Sequence, residues 1–184
     1  MVNNNLKIGT HNSATGEEGT FWSCFLIPFA RCQSKTLAEQ YKAGCRFFDI
    51  RVREFDGELY CYHGIWRSKK SAQKIIKDFI YVINDPVFVE ITWEGSTINS
   101  EQYQKVYEFA KWVNSNVYVF VTRINIKEGW KCLYLFNNIT YKGDGTGFIG
   151  INGWKCILPF PRLWSWVRGK VEFNKEEFIL VDFL

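Results

Sequence analysis

Strand-like runs alternate along this chain with segments of helical periodicity, and that alternation limits the fold more than any other feature. Strands are read at Leu6–Gly9, Arg46–Arg53, Leu59–His63, Val87–Trp93, Val117–Val121, Leu133–Phe136 and Phe178–Leu184. A helix is read from about Leu37 to Ala43, with Thr36 as its N-cap and Gly44 closing it. A second runs from Ser71 to Ile83, where Asn84-Asp85-Pro86 stops it, and a third from the cap Ser100 to about Val113. Such an order favours a parallel α/β sheet, and in a β/α barrel the carboxyl edge of the strands is where sites are built. A full barrel takes about 250 residues. With 184 residues, and a last strand that runs to the end of the chain, several helices must be short or absent. The expected fold is therefore an α/β single domain over 1–184, a compact, distorted TIM-type β/α barrel with reduced helices.

Composition narrows the partners. Aromatic residues make up 18% of the chain, which suits a core built on rings with some left for a surface. The net charge of +4 is mild and carries no implication of nucleic acid. It suits an anionic ligand or a membrane surface, and equally an ordinary solvated exterior. No run approaches the roughly 20 apolar residues of a membrane-spanning helix. The polar start, Met1 to Lys7, lacks the regions of a signal peptide, so the protein is expected in the cytoplasm or released without a leader, with peripheral membrane contact. Six cysteines show no paired CxxC spacing and read as mostly reduced, small apolar residues. Cys45, Cys61 and His63 lack a matching fourth ligand for zinc.

The chain has two histidines, His11 and His63, each where a strand gives way to a loop. Two imidazoles at one barrel mouth can act as base and acid near neutral pH. Position alone leaves a second reading, two unrelated surface or capping histidines. Asp182 is a lone carboxylate in an apolar strand and is costly to bury without a partner. In a closed barrel the last strand lies beside the first, so Asp182 can reach His11 and hold its tautomer; the other reading has it bonded to a loop amide. Asp49, Arg51 and Arg53 alternate with Phe48, Ile50 and Val52 and so share a strand face. Arg51 there can stabilise charge on a phosphate, and an internal Asp49–Arg51 bridge with no ligand is the competing reading. Glu90 and Glu94 sit in and after the Val87 strand. Asn12, Asp49 and Glu94 form an oxygen set open to calcium, although Arg51 brings a positive charge close by, so no metal ranks first.

These residues carry a resemblance. Gly9-Thr10-His11-Asn12-Ser13, Gly44-Cys45-Arg46-Phe47-Phe48-Asp49-Ile50-Arg51 and Tyr62-His63-Gly64 resemble the X-domain core of phosphatidylinositol-specific phospholipase C, in its bacterial, metal-independent branch. The histidines are 52 residues apart, as that family's layout requires, and Ile179-Leu180-Val181-Asp182-Phe183 is similar to its late strand. The resemblance is specific over 6–66, weaker over 86–94 and 178–184, and slight between. It implies His11 as general base, His63 as general acid, Asp182 orienting His11, Arg51 on the phosphate and Asp49 supporting Arg51. Asn12, Asp49, Arg51 and Glu94 are expected to line the substrate site. The implied reaction is attack of the inositol 2-hydroxyl on phosphorus, giving a cyclic phosphodiester and diacylglycerol.

Two departures stand out. The bacterial pattern has Asp after the first histidine, where this chain has Asn12, which brings no negative charge to tune the leaving-group acid. The calcium-dependent branch has His-Asn there, but an acidic residue where this chain has Arg51. The loops that hold inositol in larger relatives are also largely missing, so the substrate is expected to be a phosphoinositide or a related glycerophospholipid. The reading from a different class is an inactive barrel used as a binding or structural module. Phe21-Trp22 and Phe25-Leu26-Ile27-Pro28-Phe29 follow the first strand on the side of His11, and Trp164 and Trp166 come before the last one. These rings either meet a lipid surface or fold over the barrel end as core.

Overall fold

The computed structural model describes residues 8–21 and 31–126, together with the backbone of three short strands at 131–133, 141–143 and 178–181. The strands are β1 Ile8–Thr10, β2 Phe47–Phe55, β3 Glu58–His63, β4 Trp66–Ser71, β5 Val87–Trp93, β6 Val119–Ile126, β7 Lys131–Leu133, β8 Tyr141–Gly143 and β9 Phe178–Val181. Three α-helices accompany them: α1 Leu37–Lys42, α2 Ala72–Ile80 and α3 Ser100–Asn114. The main path of the sheet is β7-β6-β5-β2-β1-β9-β8, parallel throughout except for the β6–β7 pair. Along the described residues this sheet stays open, a distorted barrel with few covering helices.

The alternation in β2 sorts its side chains as expected. Phe48, Ile50 and Val52 join the apolar core, where the Phe48 and Phe79 rings sit 4.9 Å apart. Asp49 and Arg51 take the opposite, inner face. Thr36 caps α1 through a capping box with Glu39, which fixes where the chain leaves the first loop. The cap of α3 is Asn99 rather than Ser100, again in a capping box, with Gln102. Asp56-Gly57 makes the tight turn that its sequence signals, both residues at positive φ.

One expectation about the strands changes. Leu59–His63 was read as a further barrel strand, but β3 runs antiparallel to β2 and pairs onward with β4, off the main path. The nine residues of β2 carry it past the rim, and the Asp56-Gly57 turn sends β3 back down. His63 therefore reaches the mouth from above, at the foot of a descending arm. Strand β4 had no reading in the sequence. Its Trp-Arg-Ser-Lys-Lys-Ser run is mostly polar, and only Trp66 and Ser68 face inward, both buried.

Packing between residues 12–16 and 31–40 holds the rim. Gln40 is fully buried on α1. Its amide donates to the carbonyls of Ser13, at 2.8 Å, and Lys35, at 2.6 Å, while its oxygen accepts from the Thr10 hydroxyl at 2.6 Å. Thr15 Oγ1 accepts from the backbone N–H of Cys32 and of Gln33, each at 3.0 Å. The segment lies so close that a Cβ built on Gly16 would stand 1.7 Å from the Lys35 carbonyl oxygen, so only glycine fits there.

Candidate functional site

His11 follows the last residue of β1, and Asn12 after it adopts the left-handed conformation, φ 47° and ψ 47°. This turn starts a 3-10 segment, Ser13–Gly16, and directs the Asn12 backbone N–H at Asp49 Oδ2, 3.2 Å away. Asp49 is buried and also accepts from Thr92 Oγ1 at 3.3 Å and from Arg51 Nε at 3.1 Å. Arg51 extends further, with Nη1 on Glu94 Oε2 at 3.2 Å and Nη2 on His11 Nε2 at 2.7 Å. A guanidinium has only donors, so Nε2 of His11 is the acceptor in that contact and its lone pair is engaged by Arg51. Glu94 Oε1 in turn accepts from the Gly64 backbone N–H at 3.2 Å, which ties the end of the arm to the end of β5. The His11 and His63 ring centroids are 6.4 Å apart, edge to face.

Charge in this cluster is balanced at close range. Burial opposes the Asp49 charge, but Arg51, His11 and the Asn12 N–H outweigh it and hold the carboxyl below the ordinary aspartate range. Burial likewise opposes the Arg51 charge, and Asp49 with Glu94 more than compensates, so the guanidinium stays protonated more firmly than usual. The internal Asp49–Arg51 bridge weighed from the sequence is therefore present. The Arg51 guanidinium donates to both Asp49 and Glu94, two of the three residues considered for calcium. The Asn12 Oδ1 atom is buried without a hydrogen-bond partner among the described residues.

A second polar group lies on the inner face, one strand further. Glu90 is buried opposite Asp49 in the β2–β5 register. Arg123 contacts it through Nε, at 2.9 Å, and Nη2, at 3.0 Å, and Asn125 Nδ2 donates to it at 3.1 Å. Sequence reasoning ended the sixth strand at Val121 and missed both partners. A register shift between Val89 and Glu90 explains why they face inward. Val121 pairs with Val89 on the core side, Thr122 is the extra residue, and Arg123 pairs with Glu90 on the inner side. Alternation in Thr122-Arg123-Ile124-Asn125-Ile126 was the available signal. Desolvation, with Asp49 beside it, pushes Glu90 up to about 7 against the pull of Arg123 and Asn125.

The cysteines divide by environment. Cys45 and Cys61 are in the apolar core, and burial raises both thiols, Cys45 to about 12. Alternation puts Cys61 and His63 on one face of β3, but Cys61 is packed in the apolar core, and no group of three metal-ligating side chains gathers around the pair among the described residues. Cys32 differs: its Sγ sits 3.2 Å from Asn12 Nδ2 and 3.7 Å from His63 Nδ1. Sequence analysis gave it no role. Asp182, Trp22, Phe25 to Phe29, Trp164 and Trp166 lie outside the described residues. The backbone does put β9 in parallel beside β1, with Val181 in register with Thr10, the residue before His11. Phe21 is 70% exposed. Among the described residues, no helix is long and apolar enough to cross a membrane.

No protein-family model matches the chain, and no curated protein matches it in sequence. Solved structures do resemble it. The phosphatidylinositol-specific phospholipase C of Listeria monocytogenes aligns over 97% of this chain and 74% of its own, with a TM-score of 0.55 and 15% identity. A variant of the Staphylococcus aureus enzyme of the same name aligns over 95% and 70%, with a TM-score of 0.51 and 18% identity. These likenesses establish a shared fold, the phospholipase C type of distorted β/α barrel.

Proposed function

We propose that this chain cleaves the phosphodiester of a phosphoinositide or related glycerophospholipid, with His11 as general base and His63 as general acid. One observation carries the reading: the two imidazoles stand edge to face at one rim with centroids 6.4 Å apart, and Arg51 is bonded to the first. A phosphodiester between them has a base on the side of the attacking hydroxyl and an acid on the side of the leaving oxygen. When Arg51 turns from His11 to the phosphate, His11 Nε2 is freed to take the proton from a hydroxyl of the substrate itself as that oxygen attacks phosphorus. His63 gives a proton to the departing glycerol oxygen. An internal nucleophile is already close, so the protein supplies proton transfer and charge stabilisation. Arg51 neutralises charge developing on the phosphoryl oxygens, and Asp49 and Glu94 hold its plane. Asp182, the residue that follows Val181 in the sequence, is assigned the orienting of His11. No metal takes part in this reading, because Arg51 supplies the positive charge.

The substrate is met at a lipid surface, an assignment that the exposed Phe21 ring supports. A specific observation favours a second reading, a non-catalytic barrel: Arg51 is already engaged by two carboxylates and needs no ligand to be satisfied. Phosphatidylinositol vesicles and soluble glycerophosphoinositol, each with and without chelator, separate the two. Turnover that survives chelation and disappears in His11→Ala and in His63→Ala supports the enzyme. A folded, inactive wild-type chain supports the module, and activity that calcium restores after chelation overturns the metal-free scheme.

A further inference from the structure

Asn12 stands where a carboxylate would help the acid, yet its carboxamide is not idle. It is buried and reaches Cys32 Sγ at 3.2 Å, and that sulfur lies 3.7 Å from His63 Nδ1. Cys32 is itself 2% exposed, and the bonds of Cys32 and Gln33 N–H to Thr15 fix its backbone. We propose that Cys32 is the positioning residue of His63. Its sulfur accepts the Nδ1–H of the imidazole and so leaves Nε2 as the nitrogen that exchanges the proton with substrate. The Asn12 amide completes the arrangement. Nδ2 of the carboxamide also lies 3.0 Å from His11 Nδ1, the nitrogen that carries the proton when Nε2 accepts from Arg51, so half a turn brings Oδ1, which has no partner among the described residues, to accept both that N–H and the S–H. The thiol then keeps its lone pairs for His63. The order is imidazole N–H to sulfur, then S–H to amide oxygen, with no net transfer of charge. A neutral thiol does the orienting half of a carboxylate's work and leaves out the electrostatic half.

This inference rests on the assignment of His63 as the acid, but its first test needs no turnover. In the ¹⁵N-histidine spectrum of the full chain, neutral His63 should carry its proton on Nδ1. Cys32→Ala should shift the proton towards Nε2, Cys32→Ser should hold it on Nδ1, and the His11 signals should stay in place. A wild-type His63 protonated on Nε2 alone overturns the proposal even if no variant folds. So does a tautomer that is the same in Cys32→Ala as in wild type. In an active enzyme, Cys32→Ala should lower kcat about threefold to tenfold at constant KM, as for one lost hydrogen bond. Cys32→Ser should recover most of it, and an unchanged kcat overturns the positioning role.

Discussion

His11 and His63 end 6.4 Å apart, but the chain delivers them by different means. His11 closes a strand that is paired on both sides, by β2 and β9, and the turn after it is pinned by Gln33, Gln40 and Asp49. His63 ends an antiparallel arm that is joined to the sheet along one edge and has a register shift between Tyr60 and Tyr62. Its ties to the mouth include Cys32 at the ring and Gly64 N–H on Glu94. The proposed base therefore sits in the frame, and the proposed acid is brought to it at the end of the arm.

The strongest way to break the comparison is to remove each imidazole. His11→Ala and His63→Ala should each cost about 100-fold to 10,000-fold in turnover with the fold retained, as acid–base groups typically contribute. If either variant turns over at near wild-type rate, its histidine has no part in the reaction.

Glycines on the two sides sharpen it. Gly16→Ala drives a methyl group into the Lys35 carbonyl, 1.7 Å from where the Cβ must go, and backbone cannot give way as a side chain can. A loss of about 3 kcal/mol is expected, at the upper end for overpacking. Gly64, in the turn after His63, has φ 57° and nothing within 4 Å of its Cβ position. Gly64→Ala should cost only about 1 kcal/mol, for the left-handed backbone. Urea denaturation of the two variants measures the contrast, and equal losses would show that arm and frame are equally rigid.

Between these two effects falls a pH dependence that belongs to the frame. Folded Glu90 keeps its proton up to about 7, against an ordinary 4.5, so in that interval the unfolded chain has lost a proton that the folded chain still holds. Stability from this group therefore falls as pH rises through the window and is level above it. Asp49 acts in the opposite sense: its carboxyl is lowered, so its contribution is present above its ordinary value of 3.8 and is lost as pH falls. Glu90→Gln should flatten the slope between about pH 5 and pH 7 by on the order of 2 kcal/mol. Denaturation midpoints across that range test it, and an unaltered slope would assign the effect elsewhere.

Much of the frame was legible because it rests on local rules. Thr36 with Glu39 marks a helix start, the Asp49/Arg51 alternation gives a face, and Asp56-Gly57 gives a turn. The inner-face pair of Asp49 and Arg51 followed from strand period alone. Where long-range packing decides, the sequence was mute. Cys32 has no periodic neighbours and is placed by Thr15, 17 residues away in the chain. Arg123 faces inward only because of one extra residue in β6, and the direction of β3 depends on how far β2 runs past the rim. Both histidines were found where a strand gives way to a loop, and β3 does end at His63, but strand order alone did not set β3 off the main path of the sheet.

The pairing of β1 with β9 also has a consequence in time. Strands β2, β5 and β6 and helices α2 and α3 come from a continuous stretch, 47–126, whose contacts form over short loops. The partner of β1 on its other side begins at Phe178, so that contact closes a loop of nearly the whole described chain. Loop entropy delays such a contact, and during synthesis the strand leading into His11 waits with one open edge until its last neighbour leaves the ribosome. His11 would then be the last part of the candidate site to settle.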